Sequence, residues 1–208
     1  MGAKGRRRGR KQAVDPRLSL GIVLGLSLAT WSLPTDMRLS LLWVTMVALA
    51  LPELGRKGGK VSLASANLGR GAVIGLLLAG PVLVLAPETL LLAQQRLYPV
   101  GPLSAALLIL PILAPVVETL YFRQVLQGVW GISGGVGAHT LAMTLFFLPV
   151  VVTFPSVLLA LALALALLGF IYSYVRARYG LAAAIGCQAA VNALLFLSPL
   201  AWEALPLK

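Results

Sequence analysis

The stretch Pro155–Val175 reads PSVLLALALALALLGFIYSYV, with no residue that is charged at neutral pH. A helix needs about 20 predominantly apolar residues to cross the hydrocarbon of a bilayer, within a range of about 17–25. This run meets that length on its own and predicts a membrane-spanning helix. Working outward, further apolar runs occupy Leu18–Leu33, Leu39–Leu51, Gly71–Leu92, Leu103 to about Val129, Val136–Val152 and Leu181–Leu197. About seven spans are expected, the second short and the fourth long and broken by Pro111 and Pro115. No period-two alternation recurs from run to run, as a membrane β-barrel would require. In lipid only helices and closed barrels satisfy every backbone polar group. The expected fold class is therefore all-α, a polytopic transmembrane helical bundle.

Composition supports this. Of the 208 residues, 59% are hydrophobic and 11% charged, with a mean hydropathy of +0.93. Soluble domains average about 45–50% apolar and about 25% charged, so too little polar surface is present to coat a water-soluble globule. A soluble enzyme, a secreted disulfide scaffold and a disordered chain are excluded together. The single cysteine, Cys187, excludes an internal disulfide and a cysteine-based metal cluster.

The net charge of +11 invites a nucleic-acid reading. Seven of the 17 cations lie in residues 1–17, which carry almost no large apolar side chains and are expected to be a basic, disordered tail before a transmembrane domain spanning 18–208. With the N-terminus placed in the cytoplasm, 14 of the 17 cations, Arg123 among them, fall on the inner side, and only Arg38, Arg96 and Lys208 fall outside. Such an excess is the usual orientation signal. The tail can also hold anionic lipid headgroups, at about 1 kcal/mol per cation. Membrane lipids are thus the expected partners. No interleaved aromatic residues support nucleic-acid binding. Leu18–Leu33 after the basic stretch also resembles a signal sequence, with Ser27-Leu28-Ala29 as a small-x-small site, but the spans that follow favour an uncleaved first helix. Gly21 and Gly25, Gly71 and Gly75, and Gly131 and Gly135 are four apart, a spacing that lets helices approach closely in lipid and that so many glycines also produce by chance.

Ionisable and polar residues inside membrane helices are costly, so each is a functional candidate. Glu88 lies near the outer end of the third run, Glu118 and Arg123 in the fourth, His139 and Thr144 in the fifth, and Gln188 and Asn192 in the seventh. Glu118, flanked by hydrocarbon, is a candidate general base. The alternative is a carboxylic acid that merely locks helix packing. In an α-helix, residues five apart differ by roughly 140° in direction, so Glu118 and Arg123 are expected on different faces, leaving Arg123 to find a carbonyl, a headgroup or another carboxylate. Gln188 and Asn192 are four apart and share a face. They either cross-link helices or line a polar cleft, where Asn192 would offer an amide donor to an oxyanion.

Glu118-Thr119-Leu120-Tyr121-Phe122-Arg123 resembles the Glu-Glu-x-x-Phe-Arg motif of the CPBP (CAAX protease and bacteriocin-processing, or Abi) family of intramembrane proteases, which includes the type II CAAX prenyl endopeptidases. Gly169-Phe170-Ile171-Tyr172, then Arg176-Ala177-Arg178-Tyr179-Gly180-Leu181 and finally Gln188 to Asn192, is similar to the family's closing Gly-rich helix, basic turn and His-x-x-x-Asn. The resemblance covers about Leu103 to Leu197. It implies Glu118 as the residue that activates water and Asn192 as the family Asn. The second Glu of the pair is Thr119 here, the His of the last motif is Gln188, and the Phe-x-x-x-His motif near Phe146 has Val150 at its histidine position, or Val151 if Phe147 is the match. Of the polar and charged motif positions, only Glu118, Arg123 and Asn192 match.

His139 is the sole histidine. At about 1.5 Å per residue it lies roughly 5–12 Å deep and Glu118 roughly 8–18 Å deep. Depth allows contact without requiring it, and the expectation is a stray interface histidine. Three functions follow. The first is an intramembrane endopeptidase using Glu118 and Asn192, with Gln188 positioning substrate or water and Arg123, Thr119 and His139 in support. Its proteolysis would be weak or lost without the motif histidines. The second is a non-catalytic relative that binds a membrane protein or a prenylated or lipid-like ligand. The third is a small transporter, disfavoured by the lack of an inverted repeat. No cofactor is expected, and one His with one acid does not make the three protein ligands of a catalytic metal.

Overall fold

A computed structural model of the chain describes residues 14–56, 65–97, 111–152 and 154–204, and every regular element among them is helical. Helix α1 (Pro16–Ala29) starts with a proline in its first turn, and the Asp15 carboxylate accepts from the Arg17 backbone N–H at 2.8 Å. Both are N-terminal signals. Of the basic segment 1–17, residues 1–13 lie outside the described residues. Helix α2 (Thr35–Arg56) carries Asp36 in its first turn, where the helix dipole favours an acid. Helix α3 (Ser65–Leu85) gives way to α4 (Pro87–Leu97) at Ala86, before a proline that opens the next helix. Then come α5 (Leu113–Glu118), a π-helical stretch (Thr119–Leu126), α6 (Gln127–Val151), α7 (Pro155–Tyr179) and α8 (Leu181–Ala204).

Four segments are long and apolar enough to cross a membrane: Thr35–Gly55, Ser65–Leu85, Leu113–Val151 and Pro155–Tyr179. Pro16–Ala29 and Leu181–Leu197 are shorter apolar helices. The 39 residues of Leu113–Val151 would reach about 60 Å if straight, yet the rings of Phe122 and His139 lie 5.1 Å apart. A Cβ added to Gly135 would sit 2.8 Å from the Cβ of Gln127. The chain reverses at Gly131, whose φ of 72° and ψ of −173° break the helix. Such backbone is essentially confined to glycine. The result is a tight helical hairpin, and its corner lies between the two apolar runs that end near Val129 and begin at Val136.

Two cores flank a seam. One joins α1, α2 and the hairpin through Val23, Leu42, Met46, Tyr121, Phe122 and Phe146. The other joins α3, α7 and α8 through Ala79, Tyr172, Val175, Ala183, Cys187 and Val191. Helices α3 and α8 make the most extensive contact in the bundle. Gly71 lies against the Ala183 carbonyl, Gly75 against that of Cys187 and Gly186 against that of Leu68, with no room for a side chain at any of them. The Gly71/Gly75 spacing is thus a close helix crossing, and Gly131 and Gly135 build the hairpin, whereas nothing lies within 4 Å of a Cβ placed on Gly21 or Gly25. Outward-facing Leu77, Leu85, Leu159, Leu163 and Leu167 remain largely exposed, as a surface solvated by lipid allows.

Two cations depart from the charge reading. Arg123, counted on the inner surface, is fully buried, and Arg38, counted outside, is 2% exposed. The Arg38 guanidinium donates to the carbonyl of Phe146 and stands 4.7 Å from the centroid of that ring, tying α2 to α6. Both sit inside the bundle because backbone carbonyls and aromatic faces receive their charge there.

Candidate functional site

Glu118 ends α5, buried among Ala114, Val117, Tyr121 and Phe122 and itself 8% exposed. The next eight residues are π-helical, so backbone bonding runs from i to i+5 rather than i to i+4. That wider turn overturns the α-helical expectation for Arg123. Its Nη1 donates to the Glu118 backbone carbonyl at 3.4 Å. The guanidinium lies 5.8 Å from the Phe122 ring centroid and 5.3 Å from that of Tyr172. The partner is a carbonyl, supplied by the residue whose side chain forms the site. π-Helical turns inside α-helices are frequent at functional sites.

Helix α8 presents Gln188 to the same carboxylate. Gln188 Nε2 donates to Glu118 Oε2 at 2.6 Å, while its Oε1 accepts from Thr119 Oγ1 at 3.3 Å. Both ends of the amide are used, which fixes the side chain. The close contact of α3 with α8 holds this face in place.

His139 comes from the returning arm of the hairpin. It is 3% exposed, and its Nε2 lies 3.8 Å from Glu118 Oε2. The expectation of a stray interface histidine is therefore wrong. Depth along the membrane normal said nothing about facing, and the turn at Gly131 folds the histidine back onto Glu118 and Phe122. Its Nδ1 side packs on Gly169 of α7, where a Cβ would stand 2.8 Å away. His139, Met143 and Phe147, at successive spacings of four, place one face of α6 on a common cavity. The histidine thus sits about three turns before Val150.

That cavity, about 170 Å³, is lined by Glu118, His139, Gln188 and Asn192. The expected cluster is brought together on one surface, with Thr119 behind Gln188 and Arg123 behind Glu118. Two polar wall residues escaped the sequence reading: Gln94 of α4 and Tyr172 of α7. Gln94 belongs to a short amphipathic helix outside the region of motif resemblance, and only its neighbour two turns earlier, Glu88, drew notice as an ionisable group. Tyr172 falls inside a quoted motif but resembles any interfacial tyrosine. The rest of the wall is mainly Leu, Met and Phe. Among the described residues no three His, Cys, Asp or Glu side chains converge as a metal site would need. Thr144 does not line this cavity; it faces an open apolar groove between α6 and α7.

Bundle and site together define an all-helical membrane protein with a buried carboxylate at the head of an apolar cavity. Residues 100–194, just under half of the chain, match the family model described as Type II CAAX prenyl endopeptidase Rce1-like. Over this region the chain is similar to the CAAX-protease family that its motifs resemble. No curated protein and no solved structure matches the chain.

Proposed function

We propose that this protein is a multi-pass membrane hydrolase of the CAAX-endopeptidase type, slow in turnover, that acts on a prenylated or transmembrane peptide with Glu118 as its base. The observation that supports this is the convergence of Gln188 Nε2 at 2.6 Å and His139 Nε2 at 3.8 Å on Glu118 Oε2, at the wall of an apolar cavity. A distance of 3.8 Å is too long for a direct hydrogen bond, and a water seated beside the pair, on the cavity side, can bond to both atoms. Glu118 takes a proton from that water as its oxygen attacks the peptide carbonyl carbon. The Asn192 amide donates to the oxyanion. On collapse the C–N bond breaks and the proton passes back from Glu118 or His139 to the leaving amine. The cytoplasmic N-terminus and the division into a basic tail, 1–17, and a membrane domain, 18–208, belong to the same proposal, as does contact between the tail and anionic lipid.

A second reading is a non-catalytic binding protein. It is favoured by the neutral Thr119–Gln188 pair at the positions where the family has Glu and His. The purified full chain, wild type and Glu118→Ala, assayed against a panel of prenylated and transmembrane peptides, separates the two. Cleavage by wild type that Glu118→Ala abolishes supports the hydrolase. A wild type inert across the panel leaves the binding protein.

A further inference from the structure

Three buried polar atoms in the residues lining the cavity have no hydrogen-bond partner among the described residues: Gln94 Oε1, His139 Nδ1 and the Tyr172 hydroxyl. His139 Nδ1 is turned onto Gly169 of α7, which leaves Gln94 Oε1 and the Tyr172 hydroxyl. Gln94 is 6% exposed and Tyr172 is 2% exposed. A buried polar group left without a partner is costly, so native proteins seldom carry one unless water, an ion or a ligand completes it. A volume of about 170 Å³ has room for several waters, and a ligand that replaces them gains by satisfying both atoms. One is an acceptor only, the other a hydroxyl free to donate. The remaining surface, from Leu90 and Leu97 of α4 to Leu161, Leu165 and Phe196, is apolar. The ligand must therefore combine an apolar body with a group that both donates and accepts. An ester carbonyl only accepts, so an ester leaves Gln94 Oε1 unsatisfied. A secondary amide, with one N–H and one C=O, satisfies both.

We propose that Gln94 and Tyr172 are substrate-positioning residues that take a peptide amide of an apolar ligand, its N–H donating to Gln94 Oε1 and its C=O accepting from the Tyr172 hydroxyl. The pair rests on the reading of the cavity as a peptide site and adds to it a means of discriminating amides from esters. It also gives α4 a function, since that helix lies outside the matched family region and brings Gln94 to the wall.

The test is binding by the full chain in nanodiscs of an N-dodecanoyl dipeptide methylamide and of analogues in which each N–H in turn is replaced by an ester oxygen. One hydrogen bond to a buried neutral group predicts about 2- to 12-fold tighter binding of the amide than of one ester analogue. Gln94→Met removes the acceptor at nearly constant shape and should bring that ratio to one while ester affinity and thermal stability stay put. Tyr172→Phe should weaken amide and ester alike and preserve the ratio. Equal affinity of wild type for the amide and every ester overturns the proposal without recourse to any variant, and so does a ratio that survives Gln94→Met. Glu118→Gln, which stops hydrolysis, should leave the ratio intact. A wild type that cleaves no peptide yet shows the Gln94-dependent ratio overturns the hydrolase reading and keeps the pair. Cleavage with no such ratio overturns the pair alone.

Discussion

Thr119 Oγ1 donates to Gln188 Oε1 at 3.3 Å, so two of the positions at which this chain departs from the family motifs touch each other. The departures are therefore coupled. A second acid at 119 facing a histidine at 188 would be an ionisable pair, and here the same two positions form a neutral one. The Gln188 amide spends its oxygen on Thr119 and its nitrogen on Glu118, so it orients the carboxylate without competing for a proton. The third departure is Val150 in place of a histidine, and the histidine that does lie near Glu118, at 3.8 Å, is His139 on the same helix.

Returning a histidine to position 188 tests this. Gln188→His, alone and with Thr119→Glu, restores an acid–base partner of the kind worth about 10²–10⁴ in rate. We expect the double variant to cleave a prenylated peptide at least about tenfold faster than wild type, read as kcat in detergent.

Gly169→Ala puts a methyl group 2.8 Å from His139 Nδ1 and must push the imidazole off its seat. Peptide cleavage should fall by about 10²-fold if His139 shares in proton transfer, with little change in the melting temperature. In combination with His139→Ala the two losses should not add, since residues in contact act through one interaction.

Gly71→Ala places its Cβ into the Ala183 carbonyl and forces α3 away from α8. Overpacking of this kind costs about 1–3 kcal/mol, to be seen as a lower midpoint on thermal or denaturant unfolding. Gly21→Ala, with nothing within 4 Å, is the control; there the better helix former should be neutral or stabilise by up to about 1 kcal/mol.

Gly131→Ala tests the hairpin corner. A non-glycine residue at φ 72° and ψ −173° carries strain of about 1–3 kcal/mol. Unfolding stability should drop by that amount, and a proteolytic nick at the corner should appear sooner than in wild type.

Much of the bundle was legible in hydropathy, since lipid admits so few alternatives to an apolar helix. The fourth and fifth runs were separable because Trp130 to Gly135 is poor in large aliphatic side chains, and the turn falls there. Glu118, Gln188 and Asn192 stood out for the same reason, being polar where polarity is expensive. What failed were inferences that needed the local helix type or the facing of a side chain. Arg123 could not be placed by a 100° wheel because its turn is π-helical. His139 could not be placed by depth because a ruler along the membrane normal carries no azimuth. Gln94 was invisible because burial from a surface-type helix leaves no mark on composition.

The fold-back at Gly131 has a consequence for biogenesis. Glu118 and His139 lie on the two arms of one hairpin, so their contact needs only that hairpin to close and is local in sequence. It can form as soon as α6 has entered the bilayer, while α7 and α8 are still on the ribosome. Gln188 arrives later, carried on α8, and until α8 docks along α3 the carboxylate lacks that amide donor. A chain interrupted before α8 would hold an acid and a histidine side by side and no finished site.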